Sequence, residues 1–500
     1  MAPTQSVEEL TEDYGKQLAA MRQTFASGRS RSVEWRKQQL SQLLKMYEEN
    51  HELISNTIAA DMGGTKMRGM PEIAAAQGVD EALANIDCWT RERWVEGWIH
   101  RLCVRPEPKG VVLIIAPWNV PWQLLVRPLA SAIAAGNLAV LKPSELNPQS
   151  SPLIAKLIPQ YLDPDCFRVI EGAVPETTAL LNNRWDHIFY TGNAAVGRVV
   201  MAAAAKHLTP VTMELGGKSP VLVDETAKMD VTCRRIAFAK WMLCGQICVA
   251  PDYVLVHRSK EAEFIERMVK LAKDGYGEDG TQQADFGRIV NERHAERLEK
   301  LIKTCGGEVV HGGFEGIQKS EGFVPPTIIK QPSMDAPIMK EEIFGPVLPV
   351  IPYDNLEDAL EIIKKQEIPL AFYVFSESSR NVEKALTAIQ SGGAGVNTVF
   401  EQVVPESIPF GGLGESGFGM YHGKYGFDEF SHQRAIVRKS TLPGFQGTLF
   451  PLPKAGEALP EFVYPLVVRL QLGIFPQSMK SCWRGLFHML MSPFRTLAGR

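Results

Sequence analysis

Three short stretches carry side chains that could together perform acyl transfer. GQICVAPDY (245–253) places Cys248 after a Gly-Gln turn and ahead of the apolar run Val254, Leu255, Val256. A soft thiolate attacks carbonyl carbon readily near neutral pH and leaves a thioester that water can open. ELGGKSP (214–220) ends an apolar run with Glu214 beside paired glycines, where a carboxylate can face a cleft and serve as a general base. APWNVPW (116–122) sets Asn119 between prolines, a restricted geometry able to aim a side-chain amide at an oxyanion. Each also has a plain structural reading: Cys248 as a buried apolar residue, Glu214 as a solvated strand end, Asn119 as a turn residue capped by tryptophan. Their occurrence together at the ends of predicted strands favours the chemical reading.

A fourth stretch concerns phosphate. FYTGNAAVGRVV (189–200) reads as a strand, a turn at Gly192 and a helix with Gly197 in its first turn, so free backbone N–H groups and a positive dipole end face outward. The spacing is not the G-x-G-x-x-G fingerprint, and taken alone it reads equally as a tight turn. Lys142 and Glu145 in LKPSE end another strand, where they could contact a ribose or stand as surface charges.

These groups need a frame. Residues 6–100 read as helices, with Leu40, Leu43, Leu44, Tyr47 and then Leu53, Ile54, Ile58 recurring three and four apart. From Gly110 onward, short apolar runs such as VVLIIAPWN and HIFYTG alternate with helical stretches, the pattern of a parallel sheet covered on both faces. A second series, from PVLVD to AGVNTVF (394–400), predicts a second α/β domain. The glycine-rich PFGGLGESGFGMYHGKYG (409–426) is expected to be a loop that passes close to other backbone and lacks core-forming residues.

Bulk properties narrow the partner. A chain of 500 residues, at ~150 per domain, suggests roughly three domains. Hydrophobic residues at 45% and charged residues at 22% match a soluble globular protein. A net charge of -4 provides no basic field, which argues against nucleic acid and for a small molecule. The eight cysteines form no C-x-x-C pair and read as reduced thiols. MAPTQSVEELTEDYG lacks a basic-then-apolar leader, so a cytoplasmic location is expected. Residues 462–500 contain no Asp or Glu but mix Arg469, Lys480, Arg484, Arg495 and Arg500 with aromatic residues. This composition suits an amphipathic tail in peripheral contact with the cytosolic face of a membrane, or one packed on the protein itself.

In this order and spacing, PWNVP, LKPSE, FYTGNAAVG, MELGGKSP, GQICVAPDY, EEIFGPVLPV and PFGGLGESGFGMYHGKYGFDEFSHQR resemble the aldehyde dehydrogenase superfamily from about residue 20 to 435. YHGK and FDEFSH resemble its class-3 or fatty-aldehyde branch. The resemblance implies an α/β fold: N-terminal helices and a modified Rossmann NAD(P)-binding domain (1–85 and 108–212), an α/β catalytic domain (213–396), and a small bridging sheet (86–107 and 397–435) that forms a homodimer. The tail would span 436–500. Implied roles follow: Cys248 attacks the aldehyde, the Asn119 amide and the Cys248 N–H hold the oxyanion, hydride passes to the nicotinamide, and Glu214 activates water. Glu342 would bind the nicotinamide ribose, Phe344 would contact the nicotinamide region, and Lys142 and Glu145 would hold the adenosine ribose. Trp118, Gly192, Asn193 and Gly197 would line the cofactor. Ala194 and Ile247 stand where threonine is common in the family. Glu145 would repel a 2′-phosphate, favouring NAD, with NADP as the alternative. The implied reaction is oxidation of an aldehyde to its acid. The tail suggests a long-chain aliphatic aldehyde or an apocarotenal; a medium-chain or aromatic aldehyde, a CoA-acylating dehydrogenase and a non-catalytic nucleotide-binding protein are the alternatives.

Overall fold

The N-terminal helices are fixed by their caps. Ser6 Oγ accepts the Glu9 N–H at 3.2 Å while Glu9 Oε2 accepts the Ser6 N–H at 2.7 Å, a reciprocal pair that starts α1 (Val7–Ala26). Ser32 caps α2 (Val33–Met62), which buries Leu40, Leu43, Tyr47, Ile54 and Ile58 along the stripe its spacing predicts. A one-turn helix, α3 (Met70–Ile73), and α4 (Ala76–Trp89) follow, then strands β1 (Arg93–Val95) and β2 (Arg101–Pro108). The computed structural model describes residues 5–95, 101–277 and 286–438; the basic tail beyond Arg438 lies outside them.

The first large sheet alternates strictly between strand and helix: β3 (Val111–Ile115), α5 (Gln123–Ala135), β4 (Leu138–Lys142), α6 (Ser150–Tyr161), β5 (Phe167–Val169), α7 (Val174–Leu181), β6 (His187–Thr191), α8 (Ala194–Ala205) and β7 (Val211–Glu214). These strands run parallel in the order β7-β6-β3-β4-β5. Every residue of β3, β4 and β6 is buried, as a sheet covered on both faces requires. The order reverses about β3, leaving a crevice at the carboxyl ends of β3 and β6.

The second series contains β8 (Pro220–Val223), α9 (Met229–Trp241), β9 (Tyr253–His257), α10 (Arg258–Tyr276), α11 (Glu292–Lys303), β10 (Glu308–His311), β11 (Thr327–Lys330), β12 (Val347–Tyr353), α12 (Leu356–Lys364), β13 (Ala371–Phe375), α13 (Ser379–Ala388) and β14 (Gly393–Val396). Its sheet has the order β10-β11-β12-β9-β8-β13-β14, parallel except for β10. Each large sheet carries its own apolar core.

The chain then returns to the first sheet through β15 (Gly417–Phe418) and α14 (Gly423–Glu429), before β16 (Ser431–Arg438) completes a small sheet of order β1-β2-β16. Two expectations are corrected here. The division at 212/213 falls inside β7, which belongs wholly to the first sheet. Of the stretch 397–435, only its end enters the small sheet; β15 pairs antiparallel with β7, Gly417 opposite Glu214. The glycine-rich stretch does approach other backbone closely: Gly417 has φ 128°, and a Cβ there would sit 2.0 Å from the Met213 carbonyl oxygen. It also supplies core, because Tyr421 is buried beside Phe427 and Phe430 in the first-sheet cluster. Buried aromatic residues and close-approach glycines together fix where this segment docks.

Candidate active site

The expected site residues gather where strands end. Asn119 follows β3, Lys142 closes β4, Gly192 and Asn193 join β6 to α8, and Glu214 closes β7. Cys248 lies between α9 and β9, and Glu342 and Phe344 precede β12. The first-sheet residues therefore lie at the carboxyl ends of parallel strands, the end at which open α/β sheets bind ligands, while Cys248, Glu342 and Phe344 stand on loops that lead into strands of the second sheet.

The loop that presents Cys248 cannot form from local preferences. Leu243 and Cys244 have φ of 48° and 54°, a region costly for side chains with a Cβ, and Gly245 has φ 70°. A Cβ on Gly245 would meet the Gly345 carbonyl oxygen at 2.3 Å, so glycine is required where the two loops cross. Gln246 pins the loop: its Nε2 donates to the Leu243 and Arg288 carbonyls at 3.1 and 2.9 Å, and its Oε1 accepts the Val290 N–H at 3.1 Å. Its own carbonyl accepts from Asn119 Nδ2 at 2.9 Å, bringing the first sheet's amide to the second sheet's cysteine loop. One of the two amide hydrogens of Asn119 remains for a substrate oxygen.

Cys248 is half-buried, between buried Gln246 and buried Val249. Burial pushes its thiol up to about 12, helped by the nearby Glu342 and Glu214 and opposed by the N–H groups of Cys248 and Val249 that face the sulfur. Glu214 is buried, and neither carboxyl oxygen has a hydrogen-bond partner. Burial raises it well above the usual carboxylate range, and Glu429 adds to the effect. Burial also lifts Glu342 to about 8, with Asp252 assisting. Near neutrality Glu342 is therefore largely protonated, which weakens its repulsion of a thiolate.

A positioning layer holds the Glu342 loop. Lys218 Nζ pairs with Asp252 and donates to the Ile338 and Glu341 carbonyls at 2.7 and 3.0 Å, while Asp252 Oδ1 accepts the Ile343 N–H at 2.8 Å. Arg297 donates to the carbonyls of Glu342 and Ile343 at 3.1 and 2.5 Å. Phe344, at φ 46°, sets its ring edge-on to Trp118 with centroids 5.5 Å apart. Gln246, Lys218 and Asp252 were not singled out from the sequence, although each stands in a motif already quoted. Arg297 lies in an ordinary charged helix and carries no such signal.

The groups around this crevice have the chemistry to hold a dinucleotide. The first N–H groups of α8 have no intrahelical acceptor and face the end of β6, a site for pyrophosphate. Asn193 caps α8 by accepting the Val196 N–H at 2.9 Å, and Gly197 is buried under Leu215. Both residues thus shape the helix start from behind. Lys142 is buried with Nζ 3.8 Å from the exposed Glu145, and burial lowers its pKa. Trp118 O accepts from Asn147 Nδ2 at 3.0 Å, which fixes the backbone on which the indole stands.

Residues 4–436 match the family model described as "Aldehyde dehydrogenase family". The chain belongs to the aldehyde dehydrogenase family. It is 44% identical over 427 residues to "Aldehyde dehydrogenase, dimeric NADP-preferring" of Rattus norvegicus, covering 84% of this chain and 93% of the relative. It is also 44% identical over 430 residues to "Aldehyde dehydrogenase family 3 member A2" of Mus musculus, covering 85% and 88%. Among solved structures, AldH of Staphylococcus aureus in its substrate-bound state superposes with a TM-score of 0.85 at 36% identity, covering 91% of this chain and 98% of that one. This aldehyde dehydrogenase is thus an oxidoreductase that converts an aldehyde to its carboxylic acid with NAD or NADP.

Two measurements check the electrostatics. With the thiol at about 12, alkylation of Cys248 by iodoacetamide in the cofactor-free enzyme is expected to rise about tenfold per pH unit between pH 7 and 9, followed by peptide mass spectrometry; a plateau below pH 9 would contradict this. A carboxyl raised on folding binds its proton more tightly in the native than in the unfolded state, so it lowers stability as pH climbs above its unfolded value. Glu214→Gln is therefore expected to melt above the wild type at pH 8, with the gap closing towards pH 4, as read by calorimetry.

Proposed function

We propose that Cys248 is the nucleophile, that Asn119 donates to the oxyanion, and that Glu214 is the general base. The carrying observation is the Asn119–Gln246 hydrogen bond, which sets an amide beside the cysteine loop with one hydrogen left to give. Cys248 Sγ attacks the aldehyde carbon and the carbonyl oxygen becomes an oxyanion. A preorganised donor of this kind is worth about 10²–10³ in turnover. Trp118, Phe344 and Glu342 would hold the nicotinamide end of the cofactor, Lys142 and Glu145 its adenosine ribose, and the α8 N-terminus its pyrophosphate. When bound, the oxidised dinucleotide supplies the hydride acceptor and a positive ring that favours the thiolate. Glu214, ionised, takes a proton from the water that opens the thioester; its orphaned oxygens leave it free to do so. Glu145 supports a preference for NAD through repulsion of a 2′-phosphate.

The substrate in this reading is a long, apolar aldehyde, aliphatic or apocarotenal. Phe238 on α9, which leads into the cysteine loop, is 67% exposed. Met67 and Met70 are 56% and 60% exposed on a segment whose Arg68 lies within electrostatic reach of Cys244. In this reading these large exposed apolar side chains take the aldehyde's chain. Among the described residues no helix is long and apolar enough to cross a membrane. Peripheral contact with the cytosolic face of a membrane through residues 440–500 is the companion proposal, resting on their basic and aromatic composition. With NADH formation as the readout, kcat/KM is expected to rise with chain length from hexanal to hexadecanal, and Phe238→Ser to flatten that rise. Deleting residues 440–500 should abolish flotation with anionic vesicles; a flat chain-length profile and unchanged flotation would sink the pair.

A homodimer built on the small sheet is supported by the exposed Trp94, Val95 and Val437, and by the word "dimeric" in the rat relative's name. Sedimentation should give twice the chain mass, and Trp94→Asp should shift it towards the monomer.

A further inference from the structure

Helix α5 begins four residues after Asn119, and its own sequence does not cap it. Trp122 occupies the cap position and makes no side-chain cap bond, so the first N–H groups of the helix need acceptors from elsewhere. Glu72, from the one-turn helix α3, supplies one. Its Oε2 accepts the Gln123 N–H at 2.7 Å, and the Trp122 N–H holds the same carboxyl. Glu72 is 1% exposed, Trp122 is fully buried, and the indole stands edge-on to Tyr47 with centroids 6.3 Å apart. No water competes for those N–H groups in such a site.

The segment 118–123 is thus tied at three points. Asn147 holds the Trp118 carbonyl, Gln246 holds the Asn119 amide, and Glu72 holds the backbone of Trp122 and Gln123. The first two ties reach the segment's start. The third reaches its far end, where the carbonyls of Val120 and Trp122 already run into α5, and joins that end to α3.

We propose that Glu72 is a positioning residue for the Asn119 amide, acting through the N-terminus of α5. The inference rests on Asn119 being the oxyanion donor. Burial lifts the Glu72 carboxyl to about 8, so at neutral pH the protonated form dominates and a glutamine amide reproduces both its shape and its acceptor oxygen.

A double-mutant cycle on the full-length enzyme tests this, with kcat/KM read at saturating NAD. Glu72→Ala is expected to lower kcat/KM by about tenfold or more, the order that misplacement of a reacting group costs. In an Asn119→Ala background the same change should cost less than about twofold, because the group it positions is gone. Glu72→Gln should retain most activity, and Cys248 should alkylate at the wild-type rate in all variants. Equal losses from Glu72→Ala in both backgrounds would mark a general structural role and overturn the proposal. An Asn119→Ala enzyme as active as wild type would instead remove the premise, a result distinct from additivity. If Glu72→Ala does not fold, Glu72→Asp, which withdraws the carboxyl by one methylene, takes its place in the same cycle.

Discussion

The hydrogen bond from the Asn119 amide to the Gln246 carbonyl joins a loop of one sheet to a loop of the other, and the reactive geometry depends on it. Both residues are buried, so breaking the bond leaves a polar group without water or partner, at a cost of about 1–3 kcal/mol. Gln246 is further committed to the Leu243 and Arg288 carbonyls and to the Val290 N–H. Every acceptor and donor on that one side chain thus points to backbone that must already be in place. The two sheets could pack by apolar contact alone in many ways; this polar junction permits few of them.

The same dryness governs the acids. Glu214, Glu342 and Glu72 each sit where water cannot solvate a charge, and each is shifted upward for that reason first. Lys218 and Asp252, equally buried, are treated oppositely: they pair with each other and use their remaining donors and acceptors on loop backbone. The contrast separates two jobs. Paired charges hold the Glu342 loop still, while Glu214 keeps both carboxyl oxygens without a hydrogen-bond partner.

Much of this was readable in the sequence, and the reasons differ by residue. Cys248, Glu214 and Asn119 stand in short motifs at the ends of apolar runs, and strand ends are where a covered parallel sheet offers side chains to solvent. The parallel architecture followed from the continuous apolar runs. Gln246 and Lys218 were visible but unassigned, because a turn glutamine and a strand-end lysine say nothing about partners on distant segments such as Arg288, Val290, Asp252 and Ile338. Glu72 left no trace at all: its role arises only when a one-turn helix meets an uncapped one. The stretch 397–435 was misassigned because glycine density masked Tyr421 and the buried Phe427 and Phe430, which send the chain back to the first core.

The left-handed run at Leu243, Cys244 and Gly245 has a consequence for biosynthesis. No nascent chain can hold that shape by itself, since its anchors lie on segments emerging both earlier and later, Asn119 among the former and Arg288 and Val290 among the latter. A ribosome-bound intermediate that has just exposed residue 248 therefore lacks the loop that turns the Cys248 and Val249 N–H groups toward the sulfur. The loop takes its shape late in maturation, after the long-range pairing that makes large α/β proteins slow to fold.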